Sequence, residues 1–556
     1  MELHHKAGNV KFNLSQFLKT THFRTDIENP LVSPVSARLL WVLGIVAIFI
    51  IVIACVNFIN LAVGQAERNT KETGIQKVLG ASRKSLATNF LIVTFQKAMI
   101  AAVLAIILTK LLAPPFQHLT LMKATSPFSG TEIRIFLAVM VFVSGLLSGL
   151  YPALVISRPR PVNLLSNRKD KNANPGAFRK LLIVLQFSVA TALIIGVLFI
   201  FKQISFMKNH ELGFNQSELL AQDISGLDND LEVLQRKAAV LEQEILKQGM
   251  QNGILKTGAM EAIPGTNFRN AFTIFDPDNL NSYTAVSVGI DENTSGVLDL
   301  TVVEGRDFSG GLASERNAIL INETLKRHLG WKSIENKELA IFSKDNKVRV
   351  IGVFKDININ SLDHAIPPMI YRYKENAYPQ YLVFRIRPGE EDRASALIKT
   401  TWKKVSEGEP FSVFSVAYKF KAMYGSEERL SKIIAAFCLI AVLLSCFGLL
   451  AHIALSVHQR TKEIGIRKVN GAKVSEILAM LNKDFIKWVV IAFVIATPIA
   501  YYVMNKWLEN FAYKTNLSWW IFALAGVLAL GIALLTVSWQ SWKAATRNPV
   551  EALRYE

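Results

Sequence analysis

Cysteine is scarce in this 556-residue chain, and charge is thin. Its three cysteines, Cys55, Cys438 and Cys446, all lie in apolar runs. Neither a disulfide framework nor a CxxC metal site is available, and each thiol reads as a small buried hydrophobe. Only 19% of the residues are charged, 51% are hydrophobic and mean hydropathy is +0.28, which excludes an ordinary soluble chain and points to the membrane. Catalytic signatures are missing too: there is no His-Glu-x-x-His, no Gly-x-Ser-x-Gly, and no Gly-x-x-x-x-Gly-Lys-Ser/Thr loop to cradle phosphates. A single Ser-x-x-Lys, Ser166 to Lys169, falls in a basic loop and is explained by chance. The chain therefore reads as a non-enzyme that binds no metal or cofactor of its own.

Long apolar runs are what the sequence has instead. A helix needs about 20 mainly apolar residues to cross a hydrocarbon core of roughly 30 Å. Seven stretches qualify: 39–63, 90–112, 133–156, 181–204, 432–456, 485–505 and 519–540. Gln96 and Lys97 interrupt the second, where Lys97 sits near enough to one end to snorkel. Gly145 and Gly149 form a GxxxG in the third, a signal for close helix packing.

Lys and Arg set the orientation. Segments 64–89, 157–180, 457–483 and the tail after 540 hold 21 basic residues against seven acidic ones, most of the net +18. These segments are expected in the cytoplasm of a bacterial cell. Positive-inside topology thus accounts for the basicity without nucleic acid, through contact with membrane lipid. The nearly neutral loops 113–132 and 506–518 are then external, as is the long hydrophilic stretch 205–431. Alternation at 348–354 and 381–387 predicts strands, and 229–248 has helical periodicity, so this stretch reads as an extracytoplasmic α+β domain. His210, His328 and His364 are scattered through it, and no catalytic constellation emerges.

An internal repeat organises the rest. Sliding the chain by 391 positions lays Thr70–Ala81 over Thr461–Ala472, with nine of twelve residues identical, and superposes the first span on the fifth without a gap. Each copy continues through two more spans to a Pro-Val segment, Pro161-Val162 in one and Pro549-Val550 in the other. The expected organisation is a first three-span repeat at 39–156, a basic cytoplasmic linker at 157–180, a lone span at 181–204, the external domain at 205–431, a second three-span repeat at 432–540 and a cytoplasmic tail at 541–556. Residues 1–38 are polar and read as the remnant of another external domain, which implies an N-terminally truncated or fragmentary form of an eight-span protein.

The two TKExGIxKVxGA segments, the closing RNPVEALR, and GRDF (305–308), AILINETLKRHLGW (318–331) and VIGVFKDI (350–357) together resemble FtsX-like/MacB-like ABC transporter permeases over nearly the whole chain. That resemblance implies a subunit whose external domain moves when a separate cytoplasmic ATPase dimer binds and hydrolyses ATP with Mg. The family's cargoes are unrelated to one another: macrolides, peptides, lipoproteins, or cell-wall hydrolases that are only activated. It also implies that the loop after the first span of each repeat docks on the ATPase. Here those loops supply Glu72, Gly74, Ile75, Lys77, Gly80 and Ala81, and Glu463, Gly465, Ile466, Lys468, Gly471 and Ala472. Gly80 and Gly471 read as helix stops that tolerate positive φ. A membrane-bound receptor with an external ligand-binding domain is the alternative function. A periplasmic partner or a homodimer stays open at this stage.

Overall fold

The computed structural model describes residues 37–68, 70–120, 131–157, 175–228, 230–266, 271–277, 281–343, 345–373, 378–406 and 408–546. The readings of residues 1–36, of linker 158–174 with Ser166, and of the segment from 547 lie outside these. Two units are present: Met1–Lys202 with Glu428–Trp507 and Asn516–Glu556, and Gln203–Glu427 with Leu508–Thr515.

In chain order the helices α1 (Ala37–Arg68), α2 (Thr70–Val78), α3 (Arg83–Thr120), α4 (Thr131–Ser157) and α5 (Pro175–Asn209) come first. The second unit follows with β1 (Leu219–Asp223), α6 (Leu231–Gly249), β2 (Ile254–Met260), β3 (Ala271–Phe275), β4 (Ser282–Ile290), α7 (Thr294–Leu298), β5 (Val302–Gly305) and β6 (Ala318–Asn322). It continues through α8 (Glu323–His328), β7 (Glu338–Ile341), β8 (Lys347–Phe354), β9 (Met369–Tyr373), β10 (Tyr381–Ile386), α9 (Glu391–Val405), β11 (Val413–Ser415) and α10 (Val416–Met423). The chain then returns to the first unit with α11 (Gly425–Gln459), α12 (Thr461–Val469), α13 (Val474–Leu508) and α14 (Trp519–Ala545).

The second unit is an α+β domain in two parts. β11, β1, β10 and β2 make an antiparallel sheet, and α6 and α9 cover one face of it. The Asp230 carboxylate starts α6 by accepting from the Glu232 and Val233 amides, and Leu234, Ala238, Leu241 and Ile245 then recur at helical spacing on its buried side. They pack with Leu382, Phe384, Ile398 and Trp402. In the other part, β4, β3, β7, β8, β6 and β9 follow one another and close, because β9 also pairs in parallel with β4. Ile274, Ile319, Ile321, Ile341, Val350 and Ile370 from these strands form its apolar core. The two parts meet at β2 and β4 through one residue pair, Met260 and Ile290. Segments expected as strands at 348–354 and 381–387 are β8 and β10, and the helix expected at 229–248 is α6.

Segment 508–515, which the sequence marks only as a neutral connector, belongs to this domain. Phe511 and Tyr513 pack against its core, the Ala512 and Tyr513 amides donate to the carbonyls of Asp363 and Leu362, and the Gln203 side chain both donates to the Tyr513 carbonyl and accepts from the Thr515 amide.

In the first unit, six helices among the described residues are long and apolar enough to span, against seven expected. The third expected span is α4, 27 residues long, but its described apolar stretch is only Arg134–Leu146, short of a crossing by itself. The helices also overrun the sequence boundaries: α5 has 35 residues, about 52 Å at 1.5 Å per residue. Aromatic and basic residues mark where the membrane lies along it. Lys180 sits over the Trp488 ring at 5.3 Å and Lys202 over Trp520 at 5.9 Å. These two anchors are roughly 33 Å apart along the helix, close to one hydrocarbon thickness.

Gly145 and Gly149 do bring two helices together, since a Cβ on either would press on Phe95 or Leu91 of α3. A second close approach joins the repeats. Asn57 of α1 and Gln186 of α5 both donate to the Leu444 carbonyl of α11, and Gly448 leaves the space that the Asn57 side chain fills. Asn57 and Gly448 are themselves repeat mates at the 391-residue offset. The first helices of the two repeats therefore cross at equivalent positions.

Candidate functional site: two repeated coupling helices

Each copy of the repeated loop folds as a nine-residue helix directly after a span, α2 behind α1 and α12 behind α11. Glu72 and Glu463 occupy the first turns, and Lys77 or Arg467 and Lys468 the last, which complements the helix dipole at both ends. Both helices stop in the same way. Gly80 takes φ 98° and Gly471 takes φ 87°, a region cheap only for glycine. The Gly80 amide donates to Lys77 and the Ala81 amide to Gln76; likewise the Gly471 amide donates to Lys468 and the Ala472 amide to Arg467. This paired pattern is a Schellman motif, repeated residue for residue.

The helices have an inner and an outer side. On α12, Ile464 is buried against Ile477, Leu481 and Ala545, and Gly465 is buried beside it. Ile466 and Val469 point outward, 53% and 65% exposed. On α2, Ile75, Val78 and Leu79 are 53%, 62% and 81% exposed. Glu72 and Glu463 are exposed at the rim, while Lys77, Ala81, Lys468 and Ala472 are half-buried; Gly74 lies inside α2. Glu463 pairs with Arg467 at 2.8 Å. Partial burial, aided by the Arg83 charge, lowers the Lys77 pKa from the usual lysine value.

Sequence reasoning missed Val78, Leu79 and Val469. They stand three and four residues beyond Ile75, and three beyond Ile466, so helical spacing alone could have found them. The result is an apolar ridge flanked by charge, which suits a groove on another protein rather than bond-making chemistry.

One cavity of about 170 Å³ in the α+β domain competes for attention, since Glu242, Glu261 and Asp291 line it. All three carboxylates are engaged. Glu261 pairs with Arg372, Glu242 accepts from the Thr257 hydroxyl, and Asp291 accepts from the amides of Ala259 and Thr294. Burial raises the Asp291 pKa to about 6. Among the described residues no group of three or more His, Cys, Asp or Glu could hold a metal.

Residues 44–161 and 435–549 match the FtsX-like permease C-terminal family. The two repeats are thus similar to FtsX-like permease units. Each matched segment takes in one of the two short helices, α2 or α12, whereas α5 and the α+β domain fall outside the matched residues. Similar proteins include the macrolide export ATP-binding/permease protein MacB of Bdellovibrio bacteriovorus, 24% identical over 62% of this chain and 56% of that protein. The pyoverdine export ATP-binding/permease protein PvdT of Pseudomonas syringae pv. tomato is 24% identical over 48% of this chain and 42% of its own length. The chain thus spans about half the length of the curated relatives it matches. Among solved structures, the periplasmic region of MacB from Actinobacillus actinomycetemcomitans aligns over 36% of this chain and 91% of that one, at 13% identity and TM-score 0.26. The extracellular domain of the noncanonic ABC-type transporter YknZ aligns over 35% and 99%, at 16% identity and TM-score 0.25. With its spans and FtsX-like repeats, the chain is a multi-pass protein of the bacterial inner membrane.

Proposed function

We infer that this chain is the transmembrane permease subunit of an ABC transporter or mechanotransmission complex, and that α2 and α12 are its contacts with a separate cytoplasmic ATPase dimer. ATP and Mg belong to that partner, and the energy of hydrolysis moves the extracytoplasmic α+β domain to handle an exported, peptide or lipoprotein cargo. The observation that carries this reading is the duplicated coupling helix, with one stop motif and one outward isoleucine at the same register in both copies. Positive-inside statistics supply basic loops to any membrane protein, but they do not supply the same capped helix twice. A pair of like ridges fits a two-subunit motor.

The test is Glu463→Lys combined with Ile466→Asp, assayed with the ATPase partner in nanodiscs. Both side chains are exposed, so the protein should reach the membrane and stay folded. Stimulation of the partner's ATP hydrolysis should be lost, and Lys473→Ala, outside the repeated order, should change it little. Full stimulation by the double variant would leave α12 as a helix that lies on lipid headgroups.

A further inference from the structure

α5 is anchored at both ends by a lysine over a tryptophan ring, and the two ends differ in what else the lysine meets. Between them α5 packs along α13 over a stripe of small residues, Ala492, Ala496 and Ala500, all buried, and the Ser188 hydroxyl donates to the Ala492 carbonyl at 3.1 Å. The repeat mates of that stripe on α3, Ala101, Ala105 and Thr109, are exposed. At the C-terminal end of the span, the Lys202 ammonium over Trp520 also donates to the Asn516 carbonyl at 2.9 Å and to the Ser518 hydroxyl at 2.6 Å. That cation is answered within the chain.

The other end is not. Lys180 of α5 sits over the Trp488 ring of α13 at 5.3 Å, and Lys487 of α13 stands 5.8 Å from the same ring. Lys483 is exposed one turn earlier on α13. Trp488 is half-buried while Lys180 and Lys487 are exposed, and among the described residues neither ammonium meets a carboxylate. Two like charges gathered at one ring repel each other, and each ammonium brings three N–H donors to the place. An exposed cation–π contact offsets only part of that repulsion. An anion between the two would convert it into attraction.

Depth narrows the choice of anion. Tryptophan rings and snorkelling lysines mark the boundary between headgroups and hydrocarbon, and the two anchored ends of α5 stand about one hydrocarbon thickness apart. Further into the span both helices show exposed apolar side chains, Leu181 and Leu185 on α5 and Val490 and Val494 on α13. Duplication does not account for the feature, because at the 391-residue offset Lys487 and Trp488 become Gln96 and Lys97.

We propose that Lys180, Lys487 and Trp488 form a binding site for one anionic phospholipid, with its phosphodiester between the two ammonium groups and its acyl chains on the apolar side chains beyond. A zwitterionic headgroup carries a cation of its own, which the lysines repel, so the site selects net negative charge. Lys483 strengthens the field at the rim.

Native mass spectrometry of the full chain in detergent, titrated with phosphatidylglycerol or phosphatidylcholine of the same acyl chains, reads the site directly. The first phosphatidylglycerol should bind several-fold more tightly than the first phosphatidylcholine. Lys180→Gln combined with Lys487→Gln should remove that preference, and since both side chains are exposed the variant should stay folded. Lys180→Arg with Lys487→Arg, which keeps both charges, should retain it, as should Lys202→Gln at the answered end. An unchanged preference in the double glutamine variant would overturn the proposal, because the lipid would then be held elsewhere. So would full displacement of phosphatidylglycerol by inorganic phosphate at equal concentration, because the site would then take a soluble anion.

Discussion

The two transmembrane repeats share nine of twelve residues in the loop after their first span, yet among the described residues α5 lies along the small-residue stripe of only the second. Where structure depends on neighbours in sequence, the copies agree: the same nine-residue helix, the same Schellman stop, the same outward isoleucine. Burial depends on neighbours in space, and there they part. The most apolar window of α3 is 11% buried, against 22% for α13. Matching a sequence segment to its repeat therefore transfers a local conformation, but it does not transfer an environment.

The largest expected effect tests the agreement. Glu72→Lys with Ile75→Asp should abolish stimulated ATP hydrolysis as fully as the paired change in α12, if both ridges engage a two-subunit motor. A variant that loses nothing in one copy and everything in the other would break the equivalence and confine the drive to a single helix.

Bulk placed in the small-residue stripes should separate the copies. Ala496→Phe forces a large ring between α13 and α5 and should cost about 1–3 kcal/mol, as overpacking of a filled core does. Ala105→Phe, at the repeat mate, should be near neutral in the isolated chain. Thermal unfolding of the two variants in the same detergent gives the comparison, and equal losses would show that both stripes are covered.

Gly80→Ala and Gly471→Ala should behave alike. A Cβ at either position meets nothing within 4 Å, so the cost is that of a left-handed backbone alone, roughly 1–2 kcal/mol. Hydrogen exchange should speed up at the amides of Ala81 and Ala472, which the stop motif holds.

The smallest effect concerns a real difference between the copies. Arg467 pairs with Glu463 across one helical turn, whereas Gln76 stands in its place in α2. Both partners are close to half exposed, so Arg467→Gln should weaken α12 by no more than about 0.5 kcal/mol. Helicity of the isolated 461–472 peptide at low and high salt would resolve it. A loss above that size would mean that the pair stabilises the helix by more than an exposed, solvent-screened contact does.

Much of this fold was legible because its signals are local. Apolar run length marked the spans, alternation marked β8 and β10, and helical periodicity marked α6. Glycine at positions 80 and 471 foretold the helix stops. The outward ridge was only half legible: Ile75 and Ile466 stood out, but Val78, Leu79 and Val469 were passed over because exposure is not written in residue type. The length of α5 beyond its span was also missed, since polar flanks that continue a helix look the same in sequence as polar loops.

By itself, the sequence determined that this is a two-repeat membrane protein, and where the short helix after the first span of each repeat begins and ends. These follow from hydropathy, charge and backbone preference, all of which act over a few residues. Tertiary structure alone decided that β9 closes on β4, that residues 508–515 belong to the α+β domain, that Asn57 meets its own repeat mate Gly448, and that α5 covers one small-residue stripe and leaves the other bare. Each of these joins residues far apart in the chain. Such contacts depend on how surfaces fit once the elements exist, and no local pattern encodes that fit.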